Sequence, residues 1–133
     1  MIAAQPQVSV RVLIADDQPL LRHSLSTLIS GTSDLSVAGE AATGADAARR
    51  AAELVPDVIL MDIRMPGGDG IEATRELRRM PQFDDLPIVA LTAGAFKSQQ
   101  EAAQAVGMTD FISNPFYVPS TVALIQRLRR KPG

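Results

Sequence analysis

Four places in the chain put a polar residue directly after a short apolar run. Asp16 and Asp17 follow Val8–Ala15, Asp62 follows Asp57–Met61, Thr92 follows Pro87–Leu91, and Asn114 follows Thr109–Ser113. Brought together, three carboxylates would repel and raise one another's pKa, a cost that a bound divalent cation relieves. An oxygen-only donor set suits Mg²⁺ or Mn²⁺. Such a site keeps several waters and is completed by carboxylates, a backbone carbonyl and a phosphoryl oxygen. Thr92 adds a hydroxyl to this group and Asn114 an amide. Each residue alone has a plainer reading, since an Asp-Asp pair commonly caps a helix or closes a turn. Only convergence of all of them makes a site.

The apolar spacing predicts elements that would gather them. Val8–Ala15 reads as a strand and Pro19–Ser30 as a helix, with Leu20, Leu21, Leu25, Leu28 and Ile29 at helical spacing. Leu35–Glu40 reads as a second strand, and the Ala-rich Ala45–Leu54 as a second helix stopped by Pro56. Asp57–Met61 lacks polar alternation, as suits a central parallel strand buried on both faces. Gly70–Met80 is predicted helical, with Ile71, Thr74, Leu77 and Arg78 on one side. Pro87–Leu91 follows as a strand, and Lys97–Val106 as a helix that Gly107 closes with a left-handed cap. Thr109–Ser113 and Pro119–Arg130 complete the series, with proline in the last helix's first turn and basic residues toward its negative end. Five strand–helix alternations predict an α/β fold, a doubly wound five-stranded parallel sheet with five helices. Ligands of such folds bind outside the carboxyl ends of the strands, where all of the residues above lie.

Composition narrows the function. A chain of 133 residues fits one domain, with residues 1–7 read as a flexible extension and 8–131 as the folded unit. With 13 basic against 15 acidic residues and a net charge of -2, there is no electrostatic footprint for direct nucleic-acid binding. The absence of cysteine excludes disulfides, thiolate metal sites and thiol nucleophiles. His23 is the single histidine, on the polar flank of its helix and without a second for a metal pair. Apolar runs are strand-sized, too short for a membrane span, and the opening residues lack the features of a signal peptide, so a cytoplasmic location is expected.

Taken together, the spaced motifs resemble one family, the CheY-like receiver domains of two-component response regulators. The resemblance covers essentially the whole chain. It rests on Asp16-Asp17, on Asp62 within Met61-Asp62-Ile63-Arg64-Met65-Pro66, on Ala90-Leu91-Thr92-Ala93, and on Gly107 followed by Asp110-Phe111-Ile112 and Pro115-Phe116. It implies that Asp62 accepts phosphate from a phosphohistidine donor, a histidine kinase or phosphotransfer protein, in a Mg²⁺- or Mn²⁺-dependent reaction. It further implies that Asp17 and Asp62 ligate the metal directly, that Asp16 positions a metal-bound water, and that Arg64 contributes its backbone carbonyl. Thr92 would bond the phosphoryl group, and Phe111 would be the aromatic whose rotamer couples with Thr92. The implied transfer is stoichiometric, so the domain is not expected to be an enzyme in the turnover sense.

One position departs from the family pattern. Receivers carry lysine before the proline after strand five, where this chain has Asn114, a neutral donor in place of an ammonium. The metal site is expected to survive this change, and phosphoryl stabilisation and signal coupling to weaken. A pseudo-receiver that binds its partner regardless of phosphate is the alternative that Asn114 suggests. An aspartyl-phosphate phosphatase is disfavoured, because such enzymes need a second acid two residues after the nucleophile and position 64 is Arg. The resemblance also implies a cis Asn114–Pro115 peptide. The output surface is expected on helix four, strand five and helix five, because these flank Thr92 and Phe111 and would feel their movement; Lys97, Gln100, Glu101, Gln104, Gln126 and Arg129 are its expected exposed residues, and a homodimer is one use of that face. Residues through about Glu76 look like receivers of DNA-binding regulators, whereas those from about Leu86 look like receivers of hybrid histidine kinases.

Overall fold

Five short apolar strands build one sheet: β1 (Val10–Ala15), β2 (Leu35–Ala41), β3 (Val58–Asp62), β4 (Ile88–Thr92) and β5 (Asp110–Ser113). Their order is β2-β1-β3-β4-β5 and every pairing is parallel, as the strand–helix alternation predicts. The helices are α1 (Pro19–Ser30), α2 (Gly44–Leu54), α3 (Gly70–Leu77), α4 (Lys97–Ala105) and α5 (Val118–Leu128). This computed structural model describes residues 10–64, 70–92, 97–113 and 118–128. The expected extension over residues 1–7 lies outside them.

Strand alternation divides the core into two layers. Val12 and Ile14 point with Leu25 and Ile29 of α1 and Leu124 and Ile125 of α5, while Leu13 and Ala15 point with Ala47 and Ala51 of α2, Ala73 and Leu77 of α3, and Ala103 of α4. The central strand β3 is fully buried from Val58 to Met61, which is why it shows no polar alternation. Burial of these branched side chains is the main favourable term in folding, on the order of 1.5–3 kcal/mol for each.

Several element ends differ from the sequence-based expectation for local reasons. α2 starts at Gly44, because the Thr43 hydroxyl accepts the Asp46 amide at 3.1 Å and so caps the helix. α3 ends at Leu77, not Met80: the residue before a proline avoids helical geometry, and Met80, before Pro81, is extended at φ -96°. Leu20, placed on the apolar stripe of α1 by spacing, is 79% exposed, because it sits in the first turn on the solvent side.

Arg78 joins two parts of the α2–α4 layer. Its guanidinium donates to the carbonyls of Leu86 and Gly107, each at 2.7 Å, and to that of Phe83 at the end of a 3₁₀ turn over Pro81–Phe83. Gly107 adopts φ +101°, the left-handed cap predicted after α4.

α2 ends less comfortably, on Val55 at φ 47°, a conformation that a β-branched side chain resists. Val55 is half exposed, so little burial is lost by removing it. Val55→Gly is expected to stabilise the fold by about 1 kcal/mol, relief of the left-handed strain exceeding the entropy cost of glycine. Urea unfolding should show a higher midpoint at unchanged slope; an unchanged midpoint would refute the strain.

Candidate functional site

The parallel register carries the acids to one point. Ala15 pairs with Met61, so Asp16 leaves β1 level with Asp62 at the end of β3, and Asp62 pairs with Leu91, one residue before Thr92. Carboxylate oxygens of Asp16, Asp17 and Asp62 lie within 4.8 Å of one another. The convergence expected from the sequence is therefore present for all three acids, with Thr92 beside them at the end of β4.

Asp16 is 1% exposed. Its Oδ1 accepts the Gln18 amide at 2.8 Å, so the plain turn-forming role and membership of the cluster are both real. Its backbone is held as well: the Asp16 amide donates to Ala41 at 3.0 Å, and Arg22 Nη1 donates to the Asp16 carbonyl at 2.7 Å. Asp62 Oδ1 accepts the amide of the exposed Arg64 at 3.1 Å. Burial pushes the Asp62 carboxyl up to about 7, against the pull of the Arg64 amide; the charge of Asp16, a hydrogen bond to Asp17 and the charge of Asp17 raise it further. Asp16 is also raised, first by burial, then by Asp17, while the Gln18 amide and Arg22 pull it down. Desolvation and like charge thus make the cluster reluctant to ionise fully without a compensating cation.

Thr92 is 4% exposed, and its Oγ1 has no hydrogen-bond partner among the described residues. An unsatisfied buried hydroxyl costs free energy, and an oxyanion arriving next to Asp62 would relieve it. Phe111, one strand further out, is half-buried and packs on the α2–α4 layer.

Behind the acids, α3 starts in direct contact with β3. A Cβ on Gly70 would lie 2.1 Å from the Asp62 carbonyl oxygen and 2.8 Å from Met61 Cγ, and the Gly70 amide donates to Ile63 at 3.0 Å. Glycine is required at this position for lack of room. Nothing in the spacing signals that contact, which depends on how α3 lies across β3. Arg22 was likewise not among the expected site residues, although its place six residues after Asp16, on the next element, was a usable signal.

Other expectations fall differently. Asn114, the Asn114–Pro115 peptide, Phe116 and Arg129 lie outside the described residues. Gln104 and Glu101 of α4 are exposed, and Gln100 is half-buried. Gln126 does not belong to the α4–β5–α5 surface: its side chain turns toward the α1–β2 loop and donates to Asp34 at 2.9 and 3.0 Å. No helix among the described residues is long and apolar enough to cross a membrane.

Comparison with known proteins gives a consistent result. The profile of the family described as "Response regulator receiver domain" matches residues 12–128. The transcriptional regulatory protein LiaR of Bacillus subtilis is 44% identical over 84 residues, which cover 63% of this chain and 39% of LiaR. The chain thus spans about two fifths of the length of the first curated relatives it matches, 38% to 39% of each. Among solved structures, the response regulator domain of Thermotoga maritima CheB superposes with a TM-score of 0.83 at 29% identity, covering 93% of this chain and 99% of that one. The receiver domain of the sensor histidine kinase PA1611 from Pseudomonas aeruginosa, solved with magnesium coordinated in its active-site cleft, gives a TM-score of 0.81 at 30% identity over 90% of this chain and 97% of that one.

Proposed function

Because this chain belongs to the response regulator receiver family, and so is a two-component phosphoacceptor domain, we propose that Asp62 is the residue that takes the phosphate and that residues 8–131 form the receiver unit. The carrying observation is the coincidence of three carboxylates within 4.8 Å with a buried Thr92 hydroxyl that has no hydrogen-bond partner among the described residues, at the next strand end. The all-oxygen donor set fits a hard divalent cation, Mg²⁺ or Mn²⁺, which Asp17, Asp62 and the Arg64 carbonyl would hold, with Asp16 orienting a water. When bound, the cation supplies charge neutralisation at the carboxylate and the phosphoryl oxygens. An Asp62 carboxylate oxygen attacks the phosphorus in line, the phosphorus–nitrogen bond of a phosphohistidine donor breaks, and the imidazole leaves with the electron pair and takes up a proton. Thr92 Oγ1 donates to a phosphoryl oxygen, and its inward movement frees space for Phe111. The transfer is stoichiometric rather than a turnover reaction, its donor is a histidine kinase or phosphotransfer protein, and the setting is cytoplasmic.

Incubation with acetyl phosphate and Mg²⁺ is expected to add one phosphoryl group by intact mass, and Asp62→Asn to add none. An adduct of equal yield on Asp62→Asn would remove Asp62 from the role. No adduct on the native chain would favour phosphate-independent partner binding, the reading that Asn114 suggests. An ammonium–phosphoryl contact is worth roughly 1.5–3 kcal/mol and a neutral amide bond about 0.5–1.5. Asn114→Lys is therefore expected to raise phosphorylation by roughly tenfold. A change below about twofold would mean that another cation compensates.

A further inference from the structure

The pairing of β1 with β2 carries one irregularity. Val10, Arg11 and Val12 pair with Leu35, Ser36 and Val37, but Leu13 pairs with Gly39, so Ala38 is an extra residue opposite β1. Because side chains alternate along a strand, one inserted residue exchanges the faces of all that follow. Leu35 and Val37, before the bulge, belong to the α1–α5 layer; Gly39 and Ala41, after it, belong to the α2 side, where Leu54 closes on Gly39. Glu40 is thereby turned toward α1. Arg22 meets it there, Nε donating to Glu40 Oε1 at 2.9 Å while Nη1 donates to the Asp16 carbonyl at 2.7 Å. The Asp16 amide is bonded to Ala41. Both backbone polar groups of Asp16 are thus held by the end of β2, one directly and one through the guanidinium.

We propose that Arg22, seated by Glu40, is a positioning residue for the acid pair: it sets the direction in which Asp16 and Asp17 leave β1, and through it the affinity of the cluster for a divalent cation. The proposal rests on the acid cluster being a cation site. Its two bonds use the fork geometry of a guanidinium, and the Arg22 side chain is only 20% exposed, so water does not freely replace it. A positive charge near the acids would by itself oppose cation binding, so the two possible roles of Arg22 differ in sign. Positioning predicts weaker binding when the residue is removed; simple repulsion predicts tighter binding.

The test is Mn²⁺ titration, by calorimetry and by the Mn²⁺ electron-spin signal, of the native chain, Arg22→Met, Arg22→Lys and Glu40→Ala. Removing a residue that orients metal ligands is expected to weaken binding roughly tenfold in Arg22→Met and roughly threefold in Glu40→Ala. Arg22→Lys, able to reach one acceptor but not both, should recover part of the loss. Should Arg22→Met not fold, Glu40→Ala and Arg22→Lys decide alone. Native binding with unchanged or tighter binding in the variants overturns the positioning role and leaves the site intact; no binding by the native chain overturns both.

Discussion

Gly70→Ala is expected to destabilise the protein by about 2–3 kcal/mol, although in an ordinary helix the same exchange would stabilise it by about 1. The reversal comes from one contact, the 2.1 Å that would separate the new methyl from the Asp62 carbonyl oxygen. Backbone cannot swing aside as a flexible side chain does, so either α3 lifts off β3 or the end of β3 shifts. Both move Asp62. The melting temperature should therefore fall by roughly 10 °C. Phosphoryl uptake from acetyl phosphate should fall with it at temperatures where the variant remains folded. A variant as stable as the native chain would show that α3 has slack at its start.

The second large effect is electrostatic. Asp62 in the folded chain holds its proton up to about pH 7, whereas in an unfolded chain an aspartate releases it near 3.9. The folded state therefore binds the proton more tightly. This group's contribution is fully favourable below about pH 4, declines as pH rises toward 7, and is flat above. Since Asp62 is only half-buried, solvent screening reduces the full value, and a loss of roughly 1–3 kcal/mol is expected between those limits. Asp62→Asn removes the penalty. In chelator at about pH 8 that variant should be the more stable by this amount, with the difference vanishing near pH 4. Mg²⁺ should stabilise the native chain at the higher pH and have much less effect on the variant. A stability difference independent of pH would mean that Asp62 ionises freely.

The sheet was legible because β1, β3 and β4 are short runs of mostly branched apolar residues and the segments between strands carry helical spacing. β3 even announced its central place by carrying no polar residue between Val58 and Met61. The acid site was legible for a related reason: in a parallel sheet, strand ends share one edge, so Asp16, Asp17, Asp62 and Thr92 needed only their positions after the strands to be brought together. What escaped depends on pairings that local pattern does not encode. The bulge at Ala38 looks like ordinary strand and is visible only against β1. Gln126 is drawn away from the expected surface by Asp34, far off in sequence. Leu20 fits the helical stripe by spacing and is nevertheless exposed.

Arg78 bears on how far this chain can vary in length. Loops between helix and strand ordinarily accept extra residues at little thermodynamic expense. Here the segment from α3 to β4 is measured out by one guanidinium, which must reach the carbonyls of Phe83 and Leu86 while still holding Gly107 across the layer. Phe83 and Leu86 are themselves buried, so an inserted residue would misplace two side chains as well as two acceptors. The turn between Pro81 and Leu86 is therefore a spacer of set length, closed to insertions and deletions even though Pro81, Gln82, Asp84 and Asp85 lie at the surface.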